Sequence, residues 1–116
     1  MTYGPKLTIA VIGAGSVNFC PPTVCDILLS EKLNTMSLDV RLMDIDALEV
    51  CTAFAKKAVD ISGRSISILS TTDLDKAIDG ADFVITAIEV DRYHYWSMDF
   101  HIPRRYGFRQ VYGENG

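Results

Sequence analysis

The feature that most constrains this 116-residue chain is its opening apolar run, Lys6 to Ile12 (KLTIAVI), which stops abruptly at Gly13-Ala14-Gly15-Ser16. A short run without polar alternation suits a strand buried on both faces, as inside a parallel sheet. The glycines that follow predict a tight turn, and the residues after them predict a helix. Val17 to Leu33 carries Val24, Ile27 and Leu28 at helical spacing, with the capping-type Asn18 near its start. Pro21 and Pro22 interrupt this segment. Proline lacks the N–H that a helix interior needs, so the regular helix is expected to start near them.

The same alternation continues. Leu38 to Met43 (LDVRLM) predicts a second strand, with Asp44-Ile45-Asp46 at its carboxyl end. Ala47 to Ile61 has helical spacing, placing Leu48, Cys51, Phe54, Ala55, Ala58 and Val59 on one face, and Gly63 is positioned to end it. Ser65 to Leu69 predicts a third strand, with Ile66 and Ile68 pointing the same way. Thr72 or Asp73 can cap a short helix through Ile78, closed by Gly80, and Asp82 to Ala87 (DFVITA) predicts a fourth strand. Strands alternating with helices imply a parallel sheet covered on both faces, a doubly wound α/β architecture of the Rossmann-like kind. Residues 1–116 are expected to form one such domain. Beyond Ile88, Arg92 to Tyr106 is rich in aromatics, Arg and His, and predicts a helix or lid outside the sheet.

Bulk properties exclude several classes. The net charge of −4 supplies no field that would attract nucleic acid or an anionic membrane. No apolar run approaches the roughly 20 residues that cross a bilayer, and no signal peptide is expected at the start. Cys20, Cys25 and Cys51 are odd in number and form no C-x-x-C pair, so they are expected as small buried hydrophobes in a reducing cytoplasm.

The glycine turn has a chemical use. Backbone N–H groups at a helix N-terminus can bind the phosphates of a dinucleotide without cationic side chains, provided the turn lacks side chains of its own. Gly13 and Gly15 fit, although the third position of G-x-G-x-x-G holds Asn18. A tight turn with no ligand would use the same glycines. A carboxylate at the end of the next strand can accept hydrogen bonds from ribose hydroxyls, and it would repel a 2′-phosphate, favouring NAD over NADP. Asp44 stands there, farther from the glycines than the usual spacing of roughly 20 residues. Asp46 is better suited to cap the following helix. Thr86, Ala87 and Ile88 occupy the carboxyl edge of the fourth strand, where ligands of open parallel sheets bind.

The stretches IAVIGAGSVNF, LMDID, STTDLDKAIDGADFVITAIEV and IPRRYGFRQVYGENG, in that order, resemble the N-terminal part of glycoside hydrolase family 4. The resemblance covers nearly the whole chain. Lactate and malate dehydrogenases share the first strand and its glycines but lack the IP-x-x-YG segment. The resemblance implies an NAD-dependent glycosidase that also needs a divalent metal, usually manganese. Members include α-glucosidases, α-galactosidases, 6-phospho-glycosidases and α-uronidases. It further implies oxidation at C3 of the sugar, proton removal at C2 by a tyrosine base, departure of the leaving group from C1, and addition of water before the hydride returns. Such enzymes lie outside the two-carboxylate rule, so the lack of a carboxylate pair here is no counterargument.

Residue by residue, the resemblance assigns Gly13, Gly15, Ser16 and Val17 to the phosphate turn and Asp44 to the ribose, while Ala87 is expected to line the cofactor from its place at the edge of the fourth strand. Glu114, with Asn115 beside it and Arg92 upstream, is the substrate-side candidate. The metal-binding Cys and His and the tyrosine base lie farther on in the family. No catalytic residue or metal ligand is therefore expected within residues 1–116, and this piece alone is expected to be inactive. Where phospho-sugar members carry arginines, this sequence has Glu89 and Trp96. Arginine forks suit a phosphate dianion and a glutamate repels it, so a non-phosphorylated α-glycoside is expected. The YGENG ending favours an α-galacturonide or α-glucuronide ahead of a neutral hexoside. A cytoplasmic homo-oligomer acting on a small sugar is the corresponding expectation. Two alternatives remain open at this point: a dehydrogenase of the lactate or malate type, and a non-enzymatic NAD-binding module.

Overall fold

The central strand is the one whose sequence demands burial on both faces. In the computed structural model, which describes residues 5–88 and 91–109, β1 (Lys6–Ile12) lies between β2 (Ser37–Met43) and β4 (Phe83–Thr86), and β3 (Ile66–Thr71) flanks β2. The order is β3-β2-β1-β4 and every pairing is parallel. The expected α/β fold, a parallel sheet with helices on both faces, is the fold observed.

The alternation of side chains along β1 divides the core in two. Ile9 and Val11 face α1 (Cys20–Leu29) and α2 (Leu48–Ser62), joined by Val40 and Leu42 of β2 and by Val24, Ile27, Cys51 and Ala55 of the helices. Ala10 and Ile12 face the other way, with Met43, onto Ala77 of the short α3 (Leu74–Ile78). Fully buried, Ala10 is small enough to let α3 approach the sheet. Arg41 shares this second face, and its guanidinium donates to the carbonyls of Lys76, Ala77 and Asp79 at the end of α3. Those carbonyls are the unpaired acceptors that any helix C-terminus leaves.

Several boundaries differ from the sequence expectation. The first helix ends at Leu29, not Leu33, because Ser30 turns to an extended conformation and its Oγ accepts the Leu33 N–H, starting a separate 3-10 turn over Leu33–Thr35. Asn18 does not cap it; Phe19 holds that position without a side-chain cap. In α2, Phe54 is exposed and Thr52 is buried in its place. The Thr52 hydroxyl donates to Leu48 O at 2.7 Å, which makes burial of that polar group affordable. Asp46 caps no helix. Among the described residues its carboxylate accepts only the N–H of Ala47, which holds the cap position in a left-handed conformation. Asp73 does cap α3, accepting from the amides of Asp75 and Lys76, and Gly63 ends α2 in the left-handed conformation. The segment after the sheet is helical, α4 (Arg92–Arg105), and it contributes no residue to either core.

Candidate functional site

At the carboxyl edge of the sheet the ends of β1, β2 and β4 converge. The N–H groups of Gly13 and Ala14 both donate to Met43 O, at 2.8 and 3.0 Å, and Ala87 N–H donates to Ile12 O at 2.8 Å. The turn after β1 is thus tied to both neighbouring strands. A cleft of about 470 Å³ opens here, lined by Gly13, Ser16, Asp44 and Ala87 with apolar walls that include Met43 and Ile88.

The two glycines are required by the protein's own backbone. Gly13 has φ +92°, and a Cβ there would lie 2.1 Å from Ala87 O. At Gly15 a Cβ would lie 2.4 Å from Asp46 O and 2.7 Å from an Asp44 carboxylate oxygen. Both contacts are far inside van der Waals distance. Close approach of the β4 and β2 ends demands these glycines whether or not a ligand is bound.

Asp44 is held from two sides. Its Oδ2 accepts the Gly15 N–H at 2.8 Å and its Oδ1 accepts the Ile45 N–H at 2.7 Å. A carboxylate has about four acceptor positions, so the side chain is oriented by the turn and keeps acceptor capacity toward the cleft. The long spacing between the glycines and Asp44 is taken up by the loop through the 3-10 turn before β2.

The helix N-terminus does not present donors as expected. Phe19 and Cys20 N–H both donate to Ser16 O, at 3.3 and 2.9 Å, and Thr23 N–H donates to Phe19 O at 3.2 Å. Pro21 and Pro22 have no N–H at all. What remains are the N–H groups of Val17 and Asn18 in the loop ahead of the helix, which donate to no described residue. An anion would meet these loop amides, not the first turn of α1.

Behind the loop, Cys20 of α1 and Cys51 of α2 meet in the core. Burial pushes the Cys20 thiol up to about 11, and its neighbour Cys51 adds to the effect. Burial likewise raises the Cys51 thiol. Cys20 and Cys51 are buried packing groups, as the sequence led one to expect, whereas Cys25, expected to be buried with them, is only half-buried on α1.

Of the six residues expected to hold a cofactor, Gly13, Ser16, Asp44 and Ala87 line the cleft. Gly15 lies behind the Asp44 carboxylate, and Val17 is exposed on the loop. Arg92 is not among the cleft residues; its guanidinium carbon lies 5.7 Å from the Trp96 ring centroid, one turn along α4. Glu89, Glu114 and Asn115 lie outside the described residues. Ile12, Met43 and Ile45 line the cleft without having been singled out, although the rule that ligands bind at strand carboxyl ends would have found the first two. Leu74 also lines it, from the start of α3, and no sequence signal marks that position.

The family model for family 4 glycosyl hydrolases matches residues 8–116. This chain belongs to that family. An α-glucosidase from Erwinia rhapontici is 39% identical over 109 residues, covering 93% of this chain and 24% of that protein. An α-galacturonidase from Thermoanaerobacterium saccharolyticum is 30% identical over 113 residues, covering 93% of this chain and 23% of that protein. Among solved structures, the 6-phospho-β-glucosidase of Thermotoga maritima with NAD and glucose-6-phosphate superimposes with a TM-score of 0.70 at 26% identity, over 89% of this chain and 25% of that one. A second structure of that enzyme, with TM-score 0.65, contains manganese as well. The chain spans about a quarter of the length of the curated relatives it matches.

Proposed function

We propose that residues 1–116 form the NAD-binding part of a family 4 glycosidase that hydrolyses a non-phosphorylated α-glycoside. The observation that carries the cofactor assignment is the Asp44 carboxylate, pinned by Gly15 and Ile45 amides at the mouth of the cleft. Asp44 would accept the ribose hydroxyls. The Val17 and Asn18 amides would take the diphosphate, and Gly13, Ser16 and Ala87 would line the bound molecule. NAD, when bound, supplies hydride acceptance from the sugar and its later return. The chain's own part is to hold and orient the dinucleotide and to select against a 2′-phosphate by the charge of Asp44. NAD in the Thermotoga maritima enzyme supports this assignment.

A metal does not fit the described residues, because no three His, Cys, Asp or Glu side chains converge among them. In this proposal the Mn2+ ligands and the base belong to residues outside this chain, and residues 1–116 alone turn over no glycoside. The partner is a small sugar, with neither nucleic acid nor membrane involved. No helix of the described residues is long and apolar enough to cross a membrane, and the acidic net charge of −4 suits neither anionic surface. A cytoplasmic homo-oligomer remains part of the same proposal.

For the sugar, Glu89 disfavours a phosphate. The uronide preference rests on Arg92, Glu114 and Asn115, of which Arg92 stacks on Trp96 and the others lie outside the described residues. The 39% identity to an α-glucosidase, against 30% to an α-galacturonidase, supports a neutral α-hexoside as the first choice and a uronide as the second. The test is a panel of nitrophenyl α-glucoside, α-galactoside, α-galacturonide and 6-phospho-α-glucoside, run on the full-length protein with NAD, manganese and reductant. Turnover of a non-phosphorylated α-glycoside is expected. Preference for the 6-phospho-sugar would overturn the substrate assignment, and turnover independent of NAD would overturn the class.

A further inference from the structure

A second groove, of about 250 Å³, lies at the opposite end of the sheet, lined by Leu33, Asn34, Met36, Arg64, Ser65 and Ile66. The 3-10 turn before β2 and the residues opening β3 build it, and the pairing of Leu38 with Ile66 keeps the two sides adjacent. Strands rise about 3.3 Å per residue, so the length of β2 separates this groove from Asp44 by roughly 20 Å. A small molecule here cannot touch the dinucleotide cleft.

Arg64 gives the groove its chemistry. Its Nη1 is shielded from water and has no hydrogen-bond partner. No carboxylate of a described residue pairs with it. The backbone N–H of Arg64 donates to Ser62 Oγ at 3.3 Å, which anchors the main chain. A guanidinium stays charged at all relevant pH, and a desolvated donor without an acceptor is disfavoured. Arg64 lines the groove, and its charge gains from an acceptor delivered there.

We infer that this groove binds a small organic monocarboxylate. A single guanidinium fork matches the two oxygens of a planar carboxylate. Among the described residues no second cation lines the groove, so a phosphate dianion would be left undercompensated. Asn34 and Ser65 add polar donors, while Leu33, Met36 and Ile66 offer an apolar wall to a short hydrocarbon body. The volume is below that of pockets for drug-sized ligands, about 300–1,000 Å³, which restricts the ligand to a small acid. This inference does not depend on the glycosidase assignment.

The probe is butyrate, followed by saturation-transfer NMR on the full-length protein. Butyrate is expected to receive saturation, while its neutral isostere butyramide receives none. NAD and inorganic phosphate should both fail to displace it. Arg64→Gln should weaken butyrate binding by about tenfold or more, the scale of one charge-assisted hydrogen bond, with the thermal midpoint and NAD affinity kept as checks on the fold. An equal response from butyramide would overturn the inference without any variant. Displacement by NAD, displacement by phosphate, or undiminished binding by a folded Arg64→Gln protein would each overturn it as well.

Discussion

Gly13→Ala tests whether the glycine turn serves the protein's own packing before it serves a ligand. The residue has φ +92°, where an L side chain is strained by about 1–2 kcal/mol. The new Cβ would also sit 2.1 Å from Ala87 O. That carbonyl cannot simply swing away, because Ala87 N–H is bonded to Ile12 O at 2.8 Å and anchors the end of β4. Shifting packed backbone to admit a methyl costs about 1–3 kcal/mol more, so a total of about 2–5 kcal/mol is expected. Gly80→Ala is the control: its φ is +70°, yet nothing lies within 4 Å of the added Cβ. It should cost only the conformational part, about 1–2 kcal/mol. The difference between the variants isolates the contact with Ala87. Urea unfolding of the NAD-free protein, followed by far-ultraviolet circular dichroism, measures both. The lone tryptophan, Trp96, sits on α4 outside both cores and would be a poor probe. If Gly13→Ala proves no less stable than Gly80→Ala, the packing account of the turn is wrong.

Two further outcomes are expected. Asp44→Ala should weaken NAD binding by about 1–3 kcal/mol, the scale of charged hydrogen bonds, and equal affinity for NAD and NADP in the unaltered protein, measured by calorimetric titration, would remove Asp44 from the ribose. Burial favours the neutral thiol of Cys20 in the folded state and raises it from 9.0 to about 11, so its contribution to stability is complete below pH 9 and is lost as pH rises through about 11. A urea midpoint that falls across this window, and falls less in Cys20→Ala where only the raised Cys51 thiol remains, is expected, and an identical fall in both proteins would exclude the Cys20 thiol.

Much of the fold was legible because it rests on local patterns. The unbroken apolarity of Lys6–Ile12 marks a central strand, and the observed β1 has the same bounds. Asp73 and Gly63 act through neighbours within a few residues, so their capping roles could be read directly. The alternation of strand and helix implied a parallel sheet, since parallel neighbours need crossovers. The position of Asp44 at a strand end was visible for the same reason.

What only the tertiary structure decided are the meetings between residues far apart in the chain. Gly15 and Asp44 are 29 positions apart, and the bond that orients the carboxylate exists only because β1 and β2 run side by side. Gly13 is required by Ala87 across the sheet, a contact that no periodicity encodes. Cys20 and Cys51 find each other through the packing of α1 on α2. Arg64 gained its unpartnered nitrogen from the way the loop before β2 folds beside β3. Periodicity records which side of an element is apolar. Which groups then converge depends on strand order and loop path, set by the whole chain's effort to bury apolar surface while pairing its backbone.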